Sequence, residues 1–293
     1  MKRFFLSLSA LAIGTISLFA QNALTKEYNF GKITSIEASS IYEIEVTQGY
    51  SDKVTIEYDE VFKDRLIVRY ENGELELGID SKQNIFKNDK KSKNGIKVYL
   101  QMPTIKDLEL SGASVLKASG KFKTEELDID LSGASSISGL EIQGEELSVE
   151  CSGASKLTMA GDFKNMELDC SGASTVSLNG DSNYLEGEFS GAVKAAIYGN
   201  HNNTEVICSG ASKLTLEGET GYLKSVTSGA SSLNAQDFTA SNGYAELTGA
   251  SSAKVRCTGD LKIMVGKVSK LTHYGNPNII DLNKDSNIKK GDD

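Results

Sequence analysis

A tetrapeptide, Ser-Gly-Ala-Ser or a one-residue variant, begins at Ser111, Ser132, Ser152, Ser171, Ser190, Ser209, Ser228 and Thr248. The intervals are 21, 20, 19, 19, 19, 19 and 20 residues, and a degenerate ninth copy, Gly266-Lys267-Val268-Ser269, follows. So regular a spacing makes each copy one turn of a repeat architecture. Around each copy the pattern has a period of two. Leu127, Ile129 and Leu131 alternate with Asp128 and Asp130, and Leu157 and Met159 follow a corner in the same way. That is the mark of strands with one buried face. Gly161, Gly180, Gly199 and Gly218 recur nine residues after the first Ser and mark a second turn. A unit of about 20 residues cannot bury its own apolar face, whereas stacked units about 4.8 Å apart can. The expected fold is all-β, a parallel β-solenoid of about nine coils, roughly 40 Å long.

The corner glycines Gly112, Gly133, Gly153, Gly172, Gly191, Gly210, Gly229 and Gly249 supply an unusual φ without steric cost. The Ala of the tetrapeptide is expected to face inward, and the flanking hydroxyls to bond neighbouring backbone or the next coil's Ser. In Ser190-Gly191-Ala192-Val193 that hydroxyl ladder is interrupted.

The rest of the chain divides around these repeats. Residues 1–20 read as a signal peptide: Lys2 and Arg3 precede an apolar run that ends at Ala20, too short to cross a bilayer. Residues 22–103 keep the alternation without the tetrapeptide, as in Tyr42, Ile44 and Val46, and form irregular first coils or a capping sheet of the same domain. Within them, the lysine-rich stretch Ser81–Asn94 is a solvated loop. The regular solenoid spans 104–275, and 276–293 are a final strand and tail. The protein is thus exported to periplasm, cell surface or exterior, with no membrane-spanning segment in the mature chain.

Residues Ile33-Thr34-Ser35-Ile36-Glu37-Ala38-Ser39 and Ile44-Glu45-Val46-Thr47-Gln48-Gly49, and Met102-Pro103-Thr104 leading into Leu108-Glu109-Leu110-Ser111-Gly112-Ala113-Ser114, carry a resemblance. The sequence resembles the putative auto-transporter adhesin, head GIN domain family of Gram-negative bacteria over nearly the whole mature chain. The resemblance implies a right-handed, single-stranded β-helix similar to pectin lyases, and a cell-surface or adhesion role. No translocator barrel follows the repeats, a departure from a true autotransporter.

Chemistry is constrained by what is scarce. The net charge of −9, which becomes −11 once Lys2 and Arg3 are removed, argues against nucleic acid. His201 and His273 are the two histidines, too few for most metal or acid–base sites. Two positions before the corner stand Glu109, Asp130, Glu150, Asp169, Glu188 and Glu246; Asp107, Asp128, Glu167, Glu186 and Glu205 lie two residues earlier. These outward columns make an acidic face. It reads as solvated surface, with Ca²⁺ or a cationic partner as the alternative, although the spacing supplies no closed cage. Lys156, Lys194, Lys213 and Lys270 form a basic column after the corner. Ser114…Lys117 and Ser251…Lys254 match a Ser-x-x-Lys spacing, but on strands residues three apart point to opposite faces. Arg65, Arg69 and Arg256, the mature arginines, are expected outside the acidic columns. Cys151, Cys170 and Cys208 share an inward column with Leu131 and Phe189 and are expected to be buried free thiols; Cys257 lies off it.

The residues therefore point to an exported, non-catalytic protein that binds a surface ligand, a glycan or an envelope protein. A polysaccharide-active enzyme on a pectin-lyase-like fold, or a periplasmic sensory or scaffold module, is the alternative. No catalytic residue or cofactor is assigned. A cleft lined by acids and lysines would favour the enzyme.

Overall fold

The computed structural model describes residues 23–80, 95–283 and 287–292. The leader expected at 1–20 and the loop expected at Ser81–Asn94 lie outside the described residues. Apart from one short 3-10 turn, Glu60–Phe62, the regular structure described is all strand. It stacks as about ten turns of a parallel β-solenoid.

The first turns are irregular because the chain enters from the end. Strand β1 (Ala23–Asn29) is followed by β2 (Ser35–Ala38), β3 (Tyr42–Gln48), β4 (Lys53–Asp59), β5 (Leu66–Glu71), β6 (Glu74–Ile79), β7 (Ile96–Met102), β8 (Asp107–Leu110) and β9 (Val115–Ser119). The β2–β3 coil lies between two others. It pairs in parallel with β6 and β7 on one side and with β8 and β9 on the other. Antiparallel strands then cover the outermost coil, β5 against β6, β4 against β7 and β1 against β4. Irregular coils and a capping sheet are both present. An open parallel edge would invite pairing with another chain, and this arrangement covers it.

From β8 onward the strands pair in parallel register. Leu110, Leu131, Cys151, Cys170, Phe189, Cys208, Thr227, Leu247 and Val265 form one buried column. One apolar cluster runs from Tyr28 to Leu271. Each fully buried Leu, Ile, Phe or Met in it contributes about 1.5–3 kcal/mol.

The tetrapeptide is a hydrogen-bonded turn. The Ser135 N–H donates to Ser132 O (3.4 Å), and the same bond recurs at Ser212 and Ser231. All eight corner glycines have φ between +67° and +77°. A positive φ at the first central residue alone is the signature of a type II′ turn. Corners also bond to corners: the Ala154 N–H donates to Gly133 O, and Ala173 N–H to Gly153 O, each at 2.7 Å.

The orientation of the corner differs from the expectation. Ala113, Ala134, Ala154 and Ala173 face solvent, and the second Ser points inward. Ser114, Ser135, Ser155, Ser174, Ser212, Ser231, Ser251 and Ser269 are all buried, with Val193 in the same column. The two central residues of a turn bulge outward, so the inward phase resumes at the fourth residue. Ser231 Oγ donates to Cys208 O at 3.0 Å, Ser251 Oγ to Thr227 O at 3.1 Å and Ser269 Oγ to Gly249 O at 2.8 Å.

Candidate functional site

Parallel register turns the acidic positions into ladders. Glu109, Asp130, Glu150, Asp169 and Glu188 are successive partners on one outer face, and all are exposed. The ladder runs further toward the first coils than the repeats suggest. Glu109 pairs with Glu37, and Glu37 with Glu76, giving seven stacked carboxylates. Glu246 stands apart, because Ile207 and Val226 occupy the two intervening rungs. Its carboxylate accepts a hydrogen bond from the Tyr244 hydroxyl at 2.7 Å. The parallel column holds Asp107 and Asp128, then Ser148, then Glu167, Glu186 and Glu205.

Carboxylates one rung apart repel by about 0.8 kcal/mol in water. Crowding raises the affinity for protons where the columns are densest. Lost solvation, with Asp128 and Glu109 next in effect, pushes Asp107 up to about 6. Burial and then Glu109 raise Glu37. Two cations touch the wall at its ends. Arg69, on the neighbouring strand β5, donates through Nη1 to both oxygens of Glu76 at 2.8 and 3.0 Å and so borders the extended column without standing in it. Lys224 pairs with Glu205. Among the described residues no three His, Cys, Asp or Glu side chains converge to hold a metal ion.

The lysines after the corner lie in one register column, Lys156, Thr175, Lys194 and Lys213, continuing through Ser232 and Ser252 to Lys270. Ser114 and Ser251 are buried while Lys117 and Lys254 are exposed, so neither Ser-x-x-Lys pair can cooperate. Cys151, Cys170, Cys208 and Cys257 are free and buried. Burial pushes the Cys208 thiol up to about 12, and the Cys170 thiol is raised by the hydrogen bond it shares with Cys151 and by burial. The same hydrogen bond lowers the Cys151 thiol against its burial, and all four thiols lie in the core away from solvent.

A groove of about 500 Å³, missed by the sequence reading, lies at the second turn. Its sides come from β10 (Lys121–Lys123), the end of β12 (Ser136–Gln143) and the glycine turns of the next two coils, with β11 (Glu126–Leu131) between β10 and β12 in the chain. Asp162 Oδ1 accepts from the Asp181 N–H at 3.0 Å, and Asp181 Oδ1 from the Asn200 N–H at 2.7 Å. Gln143 Nε2 donates to Asp162 Oδ2 at 3.4 Å. The shortening of the repeat from 21 to 20 to 19 residues was the available signal.

Comparison with known proteins gives the family but little function. The family model described as putative auto-transporter adhesin, head GIN domain matches residues 32–180 and 167–277. A putative adhesin from Parabacteroides merdae is 15% identical, with a TM-score of 0.52 over 92% of this chain and 94% of that one. A putative lipid binding protein from Parabacteroides distasonis is 14% identical, with a TM-score of 0.54 over 93% and 98%. A putative adhesin from the same organism is 12% identical, with a TM-score of 0.52 over 96% of each chain. These likenesses show a shared fold. No curated protein matches the sequence.

Proposed function

We propose a non-catalytic binding function for this chain, which belongs to the putative auto-transporter adhesin, head GIN domain family. On this reading the chain is exported and presents the carboxylate wall to a cationic surface ligand. The observation that carries the reading is the run of stacked carboxylates from Glu76 to Glu188. A ladder of equivalent charges makes each contact weak and repeats it, so avidity rises with the number of rungs engaged.

The groove holds Lys121, Lys123, Glu141, Asp162 and Asp181, the residue types an enzyme on sugars would use. Binding still fits it better than turnover. Asp162 and Asp181 each commit one oxygen to a backbone N–H of the next coil. Catalysis on a glycosidic bond needs two carboxyl groups facing each other across a sugar-sized gap, whereas Asp162 and Asp181 are stacked neighbours one coil apart.

Retention on immobilised chitosan, a polymer of cationic sugars, tests the wall. The protein should be retained at low salt and released as NaCl screens the charges. The variant D130N/E150Q/D169N/E188Q should elute earlier at every salt concentration. Equal retention of the two proteins would remove the wall as the binding surface. Shortening of polygalacturonate by the purified protein, abolished by one carboxylate substitution, would establish an enzyme instead.

A further inference from the structure

We propose that the groove at the second turn is a subsite for an extended, neutral oligosaccharide; this rests on the binding reading above and gives it a second ligand class. The groove is a consequence of repeat length. In β12 the register jumps from Ile137↔Leu157 to Leu140↔Met159, a bulge centred on Ser138 and Gly139. Beyond it Glu141–Gln143 stack on Lys121–Lys123 and stand beside the tight turns of the shorter coils. The concavity therefore crosses four stacked segments, three steps of about 4.8 Å or roughly 14 Å, the length of about three extended pyranose rings.

The glycine turns beside the groove are set by the stacking of the coils. A Cβ on Gly161 would lie 1.8 Å from Ile142 O, and one on Gly180 1.8 Å from Gly161 O. The rim is polar and mixed in sign. Lys121 and Lys123 face Glu141, Asp162 and Asp181, so the charges nearly cancel. A polyanion would meet the carboxylates and a polycation the lysines, whereas uncharged hydroxyls can donate to the first and accept from the second. Asp162 is held through both oxygens, by the Asp181 N–H and by Gln143 Nε2, and Asp181 through Oδ1 alone, which reduces the ordering lost on binding. The volume, about 500 Å³, falls within the range of small-ligand sites, about 300–1,000 Å³. An open, shallow site of this kind gives weak single contacts.

Isothermal titration and amide NMR with cellohexaose, xylohexaose, laminarihexaose and maltohexaose test the proposal, with hexagalacturonate and a chitosan hexamer as charged comparators. At least one neutral hexasaccharide should bind, and hexagalacturonate should not. Q143A/D181N and, separately, K121A/K123A should weaken that binding about tenfold or more while the melting temperature stays unchanged. Absence of binding by every neutral hexasaccharide at about 10 mM would overturn the groove assignment. So would neutral-sugar binding that survives both groove variants and is lost in D130N/E150Q/D169N/E188Q. Neither result touches chitosan retention, which judges the wall on its own.

Discussion

At the level of single residues the corner explains most of what the sequence repeats. Gly172 has φ +68°, and a Cβ there would sit 2.5 Å from Gly153 O. Gly172→Val should therefore cost about 3 kcal/mol or more, read as a fall in melting temperature. Ala173→Val, one position along and exposed, should stay within about 0.5 kcal/mol. A matched loss in both variants would refute the outward placement of the alanine. The alternation on the strands was readable, and counted by twos from Leu131 through Gly133 it reaches Ser135, so the expected inward alanine broke a parity the sequence already carried. The buried serines differ in their bonding. Ser174 Oγ has no partner, whereas Ser231 Oγ has two carbonyl acceptors within reach of its one proton, Cys208 O and Ser228 O. Ser174→Ala should be close to neutral and Ser231→Ala should lose about 1 kcal/mol, compared by denaturant unfolding.

Single strands carry titrating groups whose effects on stability have opposite signs. His201, in the strand Lys194–Cys208, is buried and shares a 2.8 Å hydrogen bond through Nδ1 with Ser182 Oγ. Its Nε2 has no partner, and the ring lies 6.1 Å from Phe238. Burial lowers it from 6.5 to about 4, with Asp181 pulling weakly the other way. As pH falls through 6.5 the unfolded chain takes up a proton that the folded one refuses, so stability drops until about pH 4. Asp107 on β8 behaves oppositely. Its folded value of about 6 lies above the ordinary 3.8, so the folded state binds the proton first and stability rises between those values as pH falls. Melting curves across this range should show His201→Asn without the acid-side loss. Asp107→Asn should be more stable than wild type near neutrality and converge with it near pH 4. A wild-type profile unchanged by either substitution would refute both assignments. Neither environment could be read from the sequence, since a lone His and one Asp among many gain their character from neighbouring coils. The pairing direction of β1, β4 and β5 was equally hidden: alternation is the same for parallel and antiparallel strands, and connections decide between them. The corner Ser39-Ser40-Ile41-Tyr42 also escaped notice, because Ser40 takes the glycine's place at φ +97° and Tyr42 fills the serine column with its hydroxyl on Gly78 O at 2.6 Å.

For the whole molecule, the repeat interval together with the period-two alternation was enough to read the stacked architecture, because a corner returning every 19 to 21 residues between short strands marks a β-solenoid. The irregular first coils add to the count, so about ten turns stand where the corner copies suggested nine. The outward acids were legible as well, since parallel register converts a column in the sequence into a row in space. The groove was not, because it arises from a change in repeat length and not from any residue type. A molecule built this way should tolerate the loss of one whole repeat. Deleting residues 190–208 joins Phe189 directly to Ser209 and brings the neighbours of that coil together. Gly172 would then stack on Gly210, Val176 on Leu214, Leu178 on Leu216, Gly180 on Gly218 and Glu186 on Lys224, all from matching positions of their coils. Each pair is apolar on apolar, glycine on glycine or acid on base, so no inward polar group or corner side chain is created. The shortened protein should keep its β circular dichroism and melt cooperatively within about 5 °C of the parent. It should also lack the acid-side loss of stability, because His201 leaves with the deleted coil. Deleting the ten residues 190–199 instead would shift every following side chain out of its column and should leave the C-terminal half unfolded. Equal damage from the two deletions, measured by circular dichroism and limited proteolysis, would mean that coils are not interchangeable units.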